Sequence, residues 1–278
     1  MNLGENGVIA NRNGRIGVST AVPCRGVDEK ILMLSPLIAY VSLIESLASS
    51  KIRKLVLFEN FNQKYLKCFA RPNPLDDIKP IRTPSSAICR MISRANHLES
   101  LSASFMIDAV DLFNTDKPSE EWPNLTSLIV TSHVLSPDRR QEDITNLLKA
   151  AASAALLMPK LETMEIWNGR EGLAALFKFE LARNGQSSKL TWRGTWAFPI
   201  QPAVVESWEA VSLNCRGSRV EILTESLSAD DIKSHGDAIH YLKLSERVIR
   251  PVSLHQIWIE HNAIMKHHVP LLLEWHVG

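Results

Sequence analysis

The chain has 278 residues, of which 45% are hydrophobic, and it carries 31 lysine and arginine residues against 30 aspartate and glutamate residues. A chain of this length buries a large core, and its near-zero net charge argues against a protein that binds nucleic acid or anionic membranes. Its four cysteines, Cys24, Cys68, Cys89 and Cys215, form no C-x-x-C pair, which argues against a disulfide scaffold and a thiolate zinc site.

The first segment of the chain is polar and rich in asparagine and glycine, so it cannot repay the entropy of ordering by itself. We predict a flexible arm over residues 1–27 and a single domain over residues 28–278, beginning with an apolar helix from Asp28 to Leu47. The arm lacks the apolar run of a signal peptide, and no later run is long enough to span a bilayer. The expected location is therefore the cytoplasm, with no membrane partner.

Short segments in which apolar residues alternate with other residues recur along the domain and predict strands. The predicted strands are 52–58, 98–103, 124–132, 160–168, 190–196 and 220–223. Segments 124–132 and 160–168 flank one long helix, as in a parallel β-helix-β unit, and stacked units of this kind form a curved solenoid. The predicted fold is therefore α/β, an irregular leucine-rich-repeat-like solenoid with a parallel sheet and helices on its convex side.

Apolar residues at helical spacing predict the helices between these strands. Asp138 is predicted to cap the long alanine-rich helix, which Pro159 ends. Another helix, with Leu173, Leu176 and Phe177 on its apolar face, is predicted after a turn at Asn168-Gly169 and is closed by Asn184-Gly185. Near the C-terminus, Ser228 and Ser253 resemble the starts of capped helices. These last helices are expected to form a helical cap over the open end of the solenoid, since the final repeat would otherwise expose core.

Five segments of the sequence resemble one known family. They are residues 125–132, 158–169, 190–193, 234–240 and 248–254. All of them resemble the C-terminal domain of filamentous-fungal F-box-like proteins, and the resemblance extends roughly over residues 50–260. It implies a leucine-rich-repeat-like shape and a domain of uncharacterised function. Members of that family usually begin with an F-box, which docks a ubiquitin-ligase adaptor. The sequence before Ile52 contains no F-box, so no adaptor partner is expected.

Alternate residues of the predicted strands point to the open, concave side of the sheet. This surface mixes apolar side chains with hydroxyl groups and few charges, which suits an apolar organic ligand held by a few hydrogen bonds. The predicted ligand-binding residues are Phe58, Ser102, Ser127, Ile129, Thr163, Trp167 and Leu223. The predicted catalytic residues are Thr131 and Arg193 as donors and Glu165 as an orienting acceptor. In the alternative interpretation, the N-terminal arm or a loop covers these residues, and they form a second core.

The histidines match no metal-binding motif, and neither a metal nor a cofactor is expected. His235 and Asp237 lie two residues apart and fit an oriented base. The same residues also fit a helix start, where the helix dipole favours aspartate. Both interpretations stay open on the sequence.

Two functions fit the predicted surface. The first is a cofactor-independent enzyme of fungal secondary metabolism that binds a terpenoid or polyketide intermediate and promotes its cyclisation by a pericyclic, Diels–Alder type reaction. Such a reaction requires a shaped apolar pocket and one or two polarising donors. The alternative is a non-catalytic recognition module related to the substrate receptors among F-box proteins. A chain that starts at Met1 without an adaptor-docking module favours the enzyme.

Overall fold

A computed structural model describes residues 7–11, 15–19, 52–60, 86–113, 121–182, 187–215, 219–244 and 248–259. The helix predicted from Asp28 to Leu47 and the histidines from His261 onward lie outside the described residues. No helix within the described ranges is long and apolar enough to cross a membrane.

Nine strands within the described residues form one sheet, and their order in space is their order along the chain. The first two, β1 (Gly7–Asn11) and β2 (Arg15–Ser19), form an antiparallel pair in the segment predicted to be a flexible arm. β2 is parallel to β3 (Lys54–Phe58), which is followed in parallel by β4 (Ser100–Asp108) and β5 (Ser127–Thr131). The edge of the sheet thus includes part of the N-terminal segment.

The second half of the sheet changes direction twice. β6 (Thr163–Arg170) is parallel to β5, but β7 (Leu173–Glu180) is antiparallel to it. β8 (Ser188–Gly194) is antiparallel to β7, and β9 (Val220–Ser226) is parallel to β8. The architecture is therefore α/β with a mostly parallel open sheet.

The helix predicted between Leu173 and the Asn184-Gly185 turn is wrong, because Leu173–Glu180 forms β7. Ala175 and Phe177 pack into one core, whereas Ala174 and Leu176 pack into another on the opposite face of the sheet. A strand that is apolar on both faces loses the alternation by which strands are recognised, so its pattern is ambiguous. The turn before it is at Gly172, which has a φ of 72°, a conformation that glycine adopts without strain.

The helices lie on both faces of the sheet. They are α1 (Ser86–Ser93), α2 (Ala109–Phe113), α3 (Gln141–Ala155), α4 (Pro202–Asn214), α5 (His235–Tyr241) and α6 (251–259). The first four share the larger hydrophobic core with Leu101, Leu128 and Ile166 of the strands. In this core Trp208 of α4 donates a hydrogen bond to the carbonyl oxygen of Leu148 in α3, over 3.1 Å. The larger core thus holds β4 to β6 against these helices.

Three predicted helix caps differ from the structure. Asp138 accepts a hydrogen bond from Ser136, and α3 begins only at Gln141, so Asp138 is too early to cap it. Ser228 precedes a single 3₁₀ turn and makes no capping bond. Ser253 lies inside α6. The observed side-chain cap in this region is at Ser234, whose Oγ accepts from the backbone N–H of Asp237 at the start of α5.

Helix α5 lies on the sheet face opposite to α1–α4 and contacts β6 and β7. Its residues Ala238, Ile239 and Leu242 belong to a second hydrophobic cluster with Trp167 and Leu176 of the strands. The sequence predicts a helical cap over the open end of the solenoid. In the structure, α5 instead covers the middle of the sheet. This placement buries the part of the predicted site around Trp167.

Candidate functional site

The second face is defined here as the sheet face opposite to α1–α4, formed by alternate residues of β3 to β9. Strand pairing places Ser102, Ile129 and Glu165 in one row across β4, β5 and β6. Another row contains Thr131 and Trp167, which are direct neighbours. All ten predicted site residues follow the alternation that the sequence indicates, and all of them lie on this face.

The structure does not bring all ten predicted residues to one point. Phe58 is in β3 and Leu223 is in β9, with five strands between them. Because neighbouring strands lie about 4.8 Å apart, these two residues are separated by roughly 29 Å. A small ligand therefore contacts only a subset of the predicted residues. The compact subset consists of Ser102, Ser127 and Glu165 on three adjacent strands.

An aromatic cluster closes the second face at the carboxyl ends of β3 to β6. The ring of Phe105 lies 5.0 Å from that of Trp167, 5.9 Å from that of Phe58 and 6.0 Å from that of His235. His235 is the first residue of α5, and its Nε2 lies 3.0 Å from Oδ1 of Asn60. The aromatic cluster therefore ties the start of α5 to the sheet.

Trp167, expected on an open surface, is fully buried in this arrangement. Its strand register is as predicted, but α5 and Phe105 cover it. The second-core interpretation therefore describes this end of the face, with α5 as the cover in place of the N-terminal arm. A substitution at Trp167 is expected to destabilise the protein, unlike a substitution on an open surface.

Beyond the aromatic cluster, the second face buries polar atoms without partners. The Oγ atoms of Ser102, Ser104 and Ser127 and the Nε1 of Trp167 have no hydrogen-bond partner among the described residues. The two serines of β4 are separated by one residue, which places their side chains about 7 Å apart on the same face. Each buried polar group without a partner lowers the stability of the fold by about 1–3 kcal/mol. The three serine hydroxyls and the indole N–H of Trp167 therefore destabilise the ligand-free protein.

Two of the predicted catalytic side chains hold the fold together. The Thr131 hydroxyl accepts a hydrogen bond from the backbone N–H of Phe105, over 2.8 Å, and donates to the carbonyl oxygen of Ile107, over 3.3 Å. Arg193 donates to both carboxylate oxygens of Glu225, over 2.9 and 2.7 Å, and to the carbonyl oxygen of Leu242 at the end of α5. These contacts secure the position of α5 and the end of β4, where the strand register shifts between Ala103 and Asp108.

The third predicted catalytic residue, Glu165, has a charged neighbour that sequence reasoning missed. Lys178 of β7 faces it across the strands, with its Nζ 3.5 Å from Oε1 of Glu165 and 2.9 Å from Oε1 of Glu180. Lys178 was missed because its segment was interpreted as a helix. The alternation of Leu176, Lys178 and Glu180 along a strand is the signal that places it on the second face.

Asp237 has the role of a helix-start residue. Its Oδ2 accepts hydrogen bonds from the Ser234 hydroxyl, over 2.9 Å, and from the backbone N–H of Lys233, over 3.1 Å. The helix-start interpretation of the His235 and Asp237 pair therefore describes Asp237. Among the described residues, no group of three or more histidine, cysteine, aspartate or glutamate side chains is placed to hold a metal ion.

Comparison with known proteins adds one family. The model of a family described as a family of unknown function, DUF6546, matches residues 46–250. The chain belongs to this family. Comparison with curated proteins and with solved structures finds no match.

The region shared with the DUF6546 family contains both walls of the candidate site. Residues 46–250 include β3 to β9 and α5, so the second face and its helical cover lie within the matched region. Chemically, the second face offers buried hydroxyl groups that can both donate and accept, the ion pair of Glu165 with Lys178, and the aromatic cluster.

Proposed function

We propose that the protein binds a small, largely apolar organic molecule between the second face and α5. The observation that carries this proposal is the cluster of buried, unpartnered hydroxyl groups on Ser102, Ser104 and Ser127. Ligand sites are mostly apolar enclosures with a few convergent polar groups, and this description fits the serines beside the aromatic cluster. Oxygen atoms on the ligand would satisfy these hydroxyls and recover the cost of their burial.

In the catalytic form of this proposal, the protein is the cofactor-independent cyclase of fungal secondary metabolism that the sequence predicts. The ligand is then a terpenoid or polyketide intermediate, and the enclosure holds its reacting ends together for a pericyclic reaction. The serine hydroxyls replace Thr131 and Arg193 as the donors that polarise the dienophile, since those two side chains are committed to backbone and carboxylate partners. Glu165 beside Lys178 keeps its predicted role as orienting acceptor.

In the non-catalytic form, the same enclosure belongs to a recognition module related to F-box substrate receptors. Both forms rest on an irregular leucine-rich-repeat-like solenoid, which is supported by the sequential strand order and by the parallel run of β2 to β6. The free cysteines Cys89 and Cys215 support a location in the reducing cytoplasm.

Thermal-shift and calorimetric titrations with apolar terpenoid and polyketide intermediates test the binding proposal. We expect ligand to stabilise the wild type and Ser153→Ala equally, because Ser153 is exposed on α3. Ser102→Ala should bind at least tenfold more weakly, which corresponds to about 1.4 kcal/mol for one lost hydrogen bond. Equal affinity of Ser102→Ala and the wild type would contradict the proposed site.

Product analysis separates the two forms. Conversion of a bound intermediate to a cyclised product favours the enzyme, whereas binding without conversion favours recognition. An adaptor pull-down with the full chain provides the complementary measurement, and capture of a ubiquitin-ligase adaptor would contradict the cyclase form.

A further inference from the structure

Asp108 and His133 lie together at the carboxyl edge of the parallel strands. Asp108 is the last residue of β4, and His133 follows β5 by two residues. The two strands are parallel neighbours, so their carboxyl ends meet at one edge of the sheet. In open α/β sheets this is the edge at which ligands bind.

An irregular stretch of β4 brings Asp108 to this position. Ala103 pairs with Val130, but the next pair joins Asp108 to Thr131, so four residues of β4 are accommodated within the bulge. Inside this stretch Phe105 has a φ of 65°, in the left-handed region that non-glycine residues rarely adopt. Bulges and strained residues of this kind are concentrated next to active sites, where they redirect a side chain.

Four hydrogen bonds fix the buried Asp108 carboxylate. Its Oδ1 accepts from the backbone N–H of Val110, over 2.9 Å, and from the Ser132 hydroxyl, over 2.8 Å. Its Oδ2 accepts from the backbone N–H of His133, over 2.8 Å, and lies 2.6 Å from Nδ1 of the same residue. Burial alone would raise the pKa of Asp108, but the hydrogen bonds from His133 and Val110 hold it below its ordinary value. Asp108 is therefore a carboxylate.

His133 is oriented by this carboxylate and faces solvent. The hydrogen bond to Asp108 requires the proton on Nδ1, so the neutral ring carries its free lone pair on Nε2. The side chain is 56% exposed. The pKa of His133 is raised, mainly by the hydrogen bond to Asp108. Burial and the charge of Arg139 lower this pKa, whereas the charges of Asp108 and Asp111 raise it further. An imidazole of this kind is a base that is active near neutral pH.

Neither Ser132 nor Cys89 serves as a nucleophile for this base. The Ser132 hydroxyl donates its proton to Asp108 and accepts from the backbone N–H of Val134, over 3.3 Å. Burial and the charge of Asp111 raise the pKa of the Cys89 thiol to about 12, so it is not a thiolate at neutral pH. Both side chains are therefore excluded as the nucleophile.

We propose that His133 is the general base of a second, solvent-facing site that hydrolyses small carboxylic esters with good leaving groups. Nε2 takes a proton from water as the water oxygen attacks the ester carbonyl carbon. The bond from this carbon to the leaving oxygen then breaks, and the imidazolium returns the proton to the departing alkoxide. The products are one carboxylic acid and one alcohol. Asp108 is a positioning residue that fixes the tautomer and stabilises the imidazolium.

This proposal is independent of ligand binding on the second face. The probe is 4-nitrophenyl acetate, hydrolysed by the full chain at pH 7.5 and followed as released 4-nitrophenolate. His255→Gln is the matched control, because His255 is an exposed histidine on α6. We expect the control to keep the wild-type rate and His133→Gln to lose at least tenfold, given that general bases contribute about 10²–10⁴-fold. Equal rates for His133→Gln and His255→Gln would overturn the proposal.

The positioning role of Asp108 has its own measurement. In the wild type, the midpoint of the pH–rate profile should coincide with the NMR titration midpoint of His133 and lie above the ordinary histidine value of 6.5. In Asp108→Asn both midpoints should move down together. If Asp108→Asn does not fold, the wild-type comparison remains decisive, because a rate midpoint that differs from the His133 midpoint would exclude His133 as the base.

Discussion

Gly169→Ala tests whether α5 is packed directly against the sheet. A Cβ added at Gly169 would lie 2.5 Å from the Cβ of Ala238 on α5 and 3.1 Å from Cζ3 of Trp167. Carbon atoms pack at about 3.5–4.0 Å, so α5 has to move away by roughly 1 Å. Overpacking of this kind costs typically about 1–3 kcal/mol, and we expect a loss of about 2 kcal/mol in the free energy of unfolding.

Urea denaturation followed by tryptophan fluorescence measures this loss, and a double-mutant cycle attributes it. Ala238→Gly alone should cost about 1 kcal/mol, the usual penalty for glycine within a helix. Because the double variant lacks the Ala238 methyl group, its stability should be close to that of Ala238→Gly alone. The reasoning is refuted if the effects of Gly169→Ala and Ala238→Gly simply add, since addition would mean that the two positions do not touch.

Three further predictions concern other parts of the structure. Ser102→Ala removes a buried hydroxyl without a partner, so it should change the unfolding free energy of the ligand-free protein by less than about 0.5 kcal/mol or raise it. The neighbouring variant Leu101→Ala removes core side-chain volume and should lower the unfolding free energy by about 2–5 kcal/mol. The pKa of His133 is raised in the folded protein, so its pairing with Asp108 stabilises the fold below pH 6.5, and this stability is lost as the pH rises through the folded pKa. Urea denaturation at pH 6 and 8.5 should therefore show a larger alkaline loss for the wild type than for His133→Gln; equal losses would contradict the pairing. Arg193→Lys removes the forked hydrogen bonds to Glu225 and Leu242. Amide hydrogen exchange in α5 should then become about fivefold faster, which corresponds to a local loss of about 1 kcal/mol. Unchanged exchange would show that other contacts hold α5.

The face that each strand residue occupies could be predicted from the sequence. Leu128 and Val130 belong to the larger core, and Ser127 and Ile129 belong to the second face, as their alternation indicates. This success has a local cause: successive side chains of a strand point to opposite faces, whatever the rest of the fold does. The fold class was accessible for the same reason, because the alternating strands and helical stripes imply an α/β sheet.

The covering of the second face could not be predicted in this way. Trp167 has the register of a surface residue and is buried because α5, which begins at His235, lies across it. Lys178, the charged neighbour of Glu165, was also missed, because its strand is apolar on both faces and has the pattern of a helix. Both features depend on contacts between segments far apart in the chain.

The sequence by itself determined β3 to β6, β8 and β9, together with the face that each of their residues occupies, since these follow from local periodicity. The tertiary structure decided which of these residues are enclosed, and it brought Asp108 to His133 across 25 positions of the chain. Neither residue belongs to a motif that sequence spacing reveals. Their pairing exists because β4 and β5 are parallel neighbours whose carboxyl ends meet at one edge, and because the bulge in β4 delivers the carboxylate there.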